Sequence, residues 1–185
     1  IEAAFEVSLN EGIRFIDTAE AYGMGKSETF LGQFLKKTDQ PVLLASKYFP
    51  YPWRVHRSFM LRALRGTLER LGLEKLDLYQ IHWPTPLTSP ETLMYWMAEL
   101  VKSGLTRTVG VSNFSPAQFD LLDAATPLAT NQIELHPLRR EPLHDGTLDQ
   151  AQRLQRRPMI WSPLAGGRLL AGDESPDAQR VRWVL

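Results

Sequence analysis

Six short apolar runs recur along this chain at intervals of roughly 30 residues, the length of one strand-helix-strand step, and helical patterns fill the spaces between them. The runs are Ile13 to Asp17, Val42 to Lys47, Leu76 to His82, Thr106 to Ser112, Ala129 to Glu134 and Met159 to Ser162. The first of them, with Ile13, Phe15 and Ile16 behind Gly12, reads as a strand buried on both faces. Between the runs, Leu61, Leu64, Leu68 and Leu71 repeat at helical spacing up to Gly72, and Leu93, Met97, Leu100 and Val101 do so up to Gly104. Ser89-Pro90 and Ser115-Pro116 each offer an N-cap followed by proline at the first helical position. Strands alternating with helices imply a parallel sheet, hence an α/β fold. So regular a repeat favours a (β/α) barrel over a doubly wound sheet.

If the strands are parallel, their C-terminal ends collect polar residues on one face. Asp17 closes the first run and Tyr22 follows on its loop; Lys47 closes the second; His82 closes the third; Ser112 and Asn113 follow the fourth; Gln132 lies in the fifth; Trp161 and Ser162 end the sixth. Parallel barrels place their chemistry at that face.

Two other readings of the stretch GIRFIDTAEAYGMGKSETFLG fail at one position each. A P-loop needs glycine five residues before Gly25, where Glu20 would repel phosphate, and the dinucleotide fingerprint needs a third glycine where Glu28 stands. Ser27 is instead expected to cap a helix carrying Phe30, Leu31, Phe34 and Leu35 on one face, with Glu28 in its first turn favoured by the helix dipole. A hydrolase elbow at Ser112 would want glycine in place of Phe114, and His56, His82, His136 and His144 never take the i, i+4 spacing of a zinc helix. No metal site is therefore expected.

The 185 residues, 43% of them hydrophobic, suffice for one substantial core, and a single domain spanning 1-185 is expected. Basic and acidic residues both number 21, so no charge excess is available to hold nucleic acid or acidic lipid. Arg153, Arg156 and Arg157 read as the solvated end of a helix. The absence of cysteine removes disulfides and thiolate chemistry, and no apolar run approaches the ~20 residues that span a bilayer. A cytoplasmic protein is the expectation. Ile1, Ala4, Phe5 and Ser8 fall on one helical face ending at Gly12, and Val181, Val184 and Leu185 have helical spacing at the other end.

DTAEAYG with SETFLG, then ASK, LDLYQIHWP, GVSNF, NQIELHP and WSPLAGG together resemble the successive motifs of the aldo-keto reductase superfamily, in order and over nearly the whole chain. Each is weak alone; together they are specific. The resemblance implies a (β/α)8 TIM barrel of which about six βα units are present, the chain being truncated at both ends. The missing pieces would be the first strand and hairpin, and the last strand with its cofactor loop. It implies reduction of an aldehyde or ketone to an alcohol by hydride from NADP(H), with NAD(H) left open because the loop that chooses between them is among the absent parts. The family tetrad falls on Asp17, Tyr22, Lys47 and His82: Tyr22 as general acid, Lys47 lowering the phenol's pKa, Asp17 holding Lys47, and His82 orienting the carbonyl. Ser112, Asn113, Gln132, Trp161, Ser162, Leu164 and Gly166 resemble cofactor-binding positions, with Trp161 stacked on the nicotinamide. His136-Pro137 would line the substrate mouth. Tyr48, Phe49, Tyr51, Trp53 and Trp83, near the same openings, read either as an aromatic rim suited to an apolar aldehyde or ketone or equally as packing under absent loops.

Taken singly, each residue has a plainer role: Asp17 as a cap, Tyr22 and Trp161 as packing, Lys47 as a solvated cation, His82 as a structural histidine. Taken jointly, four such residues at successive strand ends favour function over packing. The expected partner is a small aldehyde or ketone, with no nucleic acid or membrane and with oligomeric state open. The second class is a non-catalytic, cofactor-holding regulatory or interaction subunit of the same fold. Six strands cannot close a barrel built for eight, so the runs at Ile13 and Met159 are expected to be edges that expose Phe15 and Ile160 and invite self-association.

Overall fold

The computed structural model describes residues 2–169 and 175–184. In chain order the elements are α1 (Glu2–Asn10), β1 (Phe15–Asp17), α2 (Lys26–Leu35), β2 (Leu43–Tyr48), α3 (Arg57–Leu71), β3 (Leu76–Ile81), α4 (Pro90–Lys102), β4 (Thr106–Ser112), α5 (Pro116–Asp123), β5 (Leu128–Glu134), α6 (Thr147–Arg153), β6 (Met159–Trp161) and α7 (Pro176–Val184), with short 3-10 turns at Glu141–Leu143 and Ala165–Gly167. The six strands form one sheet in the order β1-β2-β3-β4-β5-β6, every pair parallel. This is six βα units of a TIM-type barrel.

All six sequence runs are strands, with ends that move by a residue or two. The first shrinks to Phe15–Asp17 and is not buried on both faces: Ile13 is 51% exposed and Phe15 40%. Among the described strands β1 lies at an edge, with a neighbour on one side only. The other edge, β6, leaves Ile160 37% exposed, so the expectation of two bare edges holds.

Local sequence sets the helix ends. Ser89 and Ser115 cap α4 and α5 through Thr92 N–H at 3.3 Å and Gln118 N–H at 3.4 Å, and Gln118 returns a bond to the Ser115 N–H. Gly72 closes α3 in the left-handed region. Ser27, by contrast, is not a cap. Gly23, Met24 and Gly25 all have positive φ, so α2 begins at Lys26 with Gly25 as its cap, and Ser27 shares a 2.9 Å hydrogen bond with Thr18 instead.

Leu64, Leu68 and Leu71 of α3 and Leu93, Met97 and Leu100 of α4 are buried as their spacing requires, whereas Val101 turns outward. On α1 the buried face is Phe5 and Leu9, and Ala4 is exposed; Ile1 lies outside the described residues, as does Leu185 at the far end. On α2, Leu31 is buried and Phe30 is exposed. Gly32 lets α2 and α3 touch: a Cβ there would lie 2.4 Å from the Arg70 carbonyl oxygen. Beside that contact Glu28, wholly buried, accepts from Ser46 Oγ at 2.5 Å and from Arg70 Nε and Nη2 at 2.7 Å, so it does more than favour a helix dipole. The arginine cluster also has partners: Arg153 and Arg156 reach across to Asp120 and Asp123 in the last turns of α5. Among the described residues no helix is long and apolar enough to cross a membrane.

Candidate active site

Each strand delivers its polar residue to the same end of the sheet. The β1–β2 register pairs Asp17 with Ala45, two residues before Lys47, so the lysine projects past the end of β1 and turns back to it. Lys47 Nζ donates to Asp17 Oδ2 at 2.6 Å and to the Thr18 carbonyl at 2.8 Å, and its side chain is 1% exposed. The last bond of the β2–β3 ladder, His82 N–H to Tyr48 O at 2.9 Å, fixes His82 beside them.

Tyr22 stands on the loop after β1, 45% exposed, with Lys47 Nζ 5.2 Å from its ring centroid. Its ring meets the His82 ring edge to face at 5.6 Å and 79°. Asp17, Tyr22, Lys47 and His82 therefore form one cluster, open at the phenol.

Burial governs the electrostatics. It lowers the Lys47 pKa against the opposing pull of Asp17. It lowers that of His82 to about 4, helped by the Lys47 charge and opposed by Asp17, so the imidazole is neutral at physiological pH. Tyr22 departs from expectation: its pKa is raised, first by burial and then by the Asp17 carboxylate, rather than lowered by Lys47. The lysine's charge is already answered by Asp17 at 2.6 Å, and the phenol thus faces a compensated pair in a partly dehydrated site.

Ser112, Asn113, Gln132 and Trp161 join this cluster through hydrogen bonds. Asn113 follows β4 at φ 63, which swings its amide so that Nδ2 donates to the His82 carbonyl at 3.3 Å and to Ser112 Oγ at 3.0 Å, while Oδ1 accepts the Trp161 indole N–H at 3.0 Å. Ser112 Oγ donates to the Gln132 carbonyl at 3.0 Å, and Gln132 Nε2 donates to Asp17 Oδ2 at 2.9 Å. Gln132 Oε1, Asp17 Oδ1 and His82 Nδ1 are buried with no hydrogen-bond partner among the described residues. Orphaned buried polar atoms of this kind are costly unless a partner arrives. An amide such as the carboxamide of nicotinamide would supply one.

After β6 the chain turns through Ser162 (φ 50), Ala165 (φ 54), Gly166 (φ 64) and Gly167 (φ 93), pinned by Ala165 N–H to Ser162 O at 2.8 Å and Gly167 N–H to Leu164 O at 3.0 Å. Leu164 and Gly166 are exposed on this turn. Backbone folded into such turns can gather N–H groups around an anion. A cavity of about 340 Å³ lies between this strand end and Trp83, Asn113, Phe114 and Ile133.

The remaining sequence candidates divide. Tyr48 is core, 1% exposed, and is no part of an aromatic rim; Phe49, Tyr51 and Trp53 do line up beyond His82. His136 is buried, its Nε2 3.4 Å from Glu134 and its Nδ1 accepting the Leu138 N–H at 3.2 Å, so it braces the loop after β5. Sequence reasoning missed Glu20, which bonds to Phe49 and Arg54, having treated it only as a charge that spoils a P-loop. No periodicity links residues on two separate loops, so only an acid and an arginine near successive strand ends could have hinted at it. Among the described residues no cluster of three or more His, Cys, Asp or Glu could hold a metal ion.

The sequence model of the Aldo/keto reductase family matches residues 2–184. The chain is 36% identical to 6-dehydroglucose reductase of Novosphingobium aromaticivorans over 92% of this chain and 60% of that protein. It is 36% identical to oxidoreductase YdhF of Escherichia coli over 91% of this chain and 61% of that protein. An aldo/keto reductase from Klebsiella pneumoniae, crystallised with NADP and acetate, superposes with a TM-score of 0.83 at 31% identity, covering 98% of this chain and 65% of that one. The chain thus spans about three fifths of the length of these curated relatives.

Proposed function

This chain belongs to the aldo/keto reductase family, and from that premise we propose that it carries the catalytic face of an NADP(H)-dependent oxidoreductase that reduces aldehydes or ketones to alcohols. The observation that carries the proposal is the placement of Tyr22, half-exposed, between the Lys47 ammonium and the His82 ring. NADPH, when bound, supplies the hydride that goes to the carbonyl carbon.

The protein's part is the proton. Tyr22, whose raised pKa keeps it protonated, donates its phenolic proton to the carbonyl oxygen as negative charge develops there. The phenolate left behind faces the Lys47 ammonium, and Asp17 holds that ammonium in place. His82, neutral, can hydrogen-bond the substrate oxygen and orient the carbonyl without adding charge. Solvent reprotonates Tyr22 at the open side of the site.

The residues fit the cofactor. The orphaned Gln132 Oε1, with Ser112 and Asn113 at its side, suits a carboxamide; the Trp161 indole, tethered by Asn113, suits the ring; Ser162, Leu164 and Gly166 suit the phosphates. NADP rather than NAD follows the ligand of the Klebsiella relative, and NAD(H) stays open. All of residues 1–185 are assigned to one barrel domain of a cytoplasmic enzyme whose partner is a small carbonyl compound, not nucleic acid or membrane.

The test is NADPH oxidation by the whole protein with a panel of aldehydes and ketones, including sugar-derived ketones. Turnover that depends on the carbonyl compound supports the reductase. Tight NADPH binding without turnover on any member would favour a cofactor-holding regulatory subunit instead.

A further inference from the structure

The loop after β1 and the loop after β2 are fastened to each other by one buried carboxylate. Glu20 is 9% exposed; its Oε1 accepts from the Phe49 backbone N–H at 2.7 Å and from Arg54 Nη1, and its Oε2 accepts from Arg54 Nη2 at 3.2 Å. Its own N–H reaches the Lys47 carbonyl at 3.4 Å. Arg54 closes the loop by donating to the Phe49 carbonyl at 3.1 Å, and its guanidinium lies 5.1 Å from the Tyr48 ring centroid and 5.0 Å from that of Tyr51. Both backbone polar groups of Phe49 are thus bonded into the Glu20–Arg54 pair. A loop that needed only to be closed could use apolar contacts, which avoid dehydrating two charges. What the ion pair adds is orientation.

The orientation is that of an aromatic series leading out from the reacting centre. Phe49 meets His82 edge to face at 5.6 Å and 82°, on a ring that Tyr22 also contacts edge to face. Tyr51 follows Phe49 at 4.7 Å, and Trp53 stacks on Tyr51 at 4.8 Å and 7°. Trp53 is 64% exposed. A carbonyl held between Tyr22 and His82 would present its substituent to this series, whose faces favour flat, apolar groups. Glu20 and Arg54 neutralise each other beneath it, so no net charge competes.

We propose that Glu20 and Arg54 are positioning residues for the carbonyl reduction: they set Phe49 against His82 and hold Phe49, Tyr51 and Trp53 as a wall that selects planar aromatic aldehydes over small aliphatic ones. This rests on the reductase function proposed above and names the substrate class of that same site.

Steady-state kinetics of the whole protein with 4-nitrobenzaldehyde and with propanal test it. Arg54→Met raises KM for the aromatic aldehyde about five- to tenfold, the worth of one aromatic pairing, with kcat and the propanal KM little changed. Phe49→Ala raises the aromatic KM by as much and far more than it raises the propanal KM, and the double variant loses less than the two single losses combined, because Arg54 acts largely through Phe49. Glu20→Gln, which keeps the bond to the Phe49 N–H, retains most of the discrimination. Trp53→Ala removes an exposed side chain and raises the aromatic KM alone; with Phe49→Ala it decides the matter if Arg54→Met fails to fold. Equal losses on both aldehydes, or additive losses in the double variant, would reduce the pair to a structural brace and overturn the proposal. If the unaltered protein turns over both aldehydes and only the discrimination is missing, the wall alone is refuted. If it turns over neither, nor any other carbonyl compound, the reductase function falls and the wall with it.

Discussion

The side-chain amide of Gln132 donates to Asp17 Oδ2 at 2.9 Å, joining β5 to β1 although three strands lie between them in the sheet. Side chains so far apart along a flat sheet could not touch, given ~4.8 Å between strands. The sheet is curled into an arc, and Gln132 is the chord.

Gln132→Met removes that chord and the orphaned oxygen beside it. The expected result is a Kd for NADPH weaker by about tenfold, the upper range for one hydrogen bond, read by quenching of protein fluorescence. Unchanged affinity would take Gln132 out of the cofactor site.

Tyr22→Phe should cut carbonyl reduction by about 10²- to 10⁴-fold, the worth of a positioned general acid, while NADPH affinity stays nearly the same. The phenol acts on the substrate oxygen and leaves the dinucleotide alone. A variant keeping most of the rate would mean that the proton comes from elsewhere.

Lys47→Met leaves Asp17 facing a nearly dry side chain. Breaking a buried pair costs about 3 kcal/mol even at the lower end, which applies because Asp17 keeps some solvent contact. Urea unfolding should show that loss, and adding Asp17→Asn should recover part of it. Activity should fall as well, because the phenolate formed on proton transfer would face the Asp17 carboxylate with no ammonium to compensate it. Equal stability of the parent and the single variant would contradict the pair's role.

His82 gives a pH dependence of known sign. Its folded pKa of about 4 lies below the ordinary 6.5, so the unfolded chain takes up the proton first as pH falls. Stability from this group is therefore complete above about pH 6.5, declines toward pH 4 and levels off below, by about 2–3 kcal/mol in all after allowance for partial solvation. Denaturation across that range should lose most of this slope in His82→Gln. A slope that survives the substitution belongs to other groups.

The strands and the tetrad were legible because their signals are local. Leu64, Leu68 and Leu71 declare a helix by spacing, and Asp17, Lys47 and His82 each terminate an apolar run; the motifs around them resemble one family in order. What escaped depends on chain direction in three dimensions. Ser27 looked like a cap until three left-handed residues moved the helix start, and Tyr48 looked like rim although strand alternation turns it into the core. The Tyr22 pKa was misjudged because its sign depends on whether Lys47 is free or paired, which no spacing reveals. Phe15 and its register partner Leu43 are likewise both exposed, which no local spacing reveals.

Because every strand pairs with the next in sequence, the sheet can assemble progressively as the chain leaves the ribosome, each new helix packing before the following strand is made. Opening should run in reverse. Among the described strands β2 to β5, each paired along both sides, would exchange their amide hydrogens last, and the three-residue β1 and β6 first. Lys47, His82 and Asn113 thus ride on the slowly exchanging centre, whereas Asp17 and Trp161 ride on the margins that open most readily. Local unfolding of these described strands would release the lysine's counter-ion and the indole long before the lysine itself is freed, so the Lys47–Asp17 bond should be lost before the central strands open.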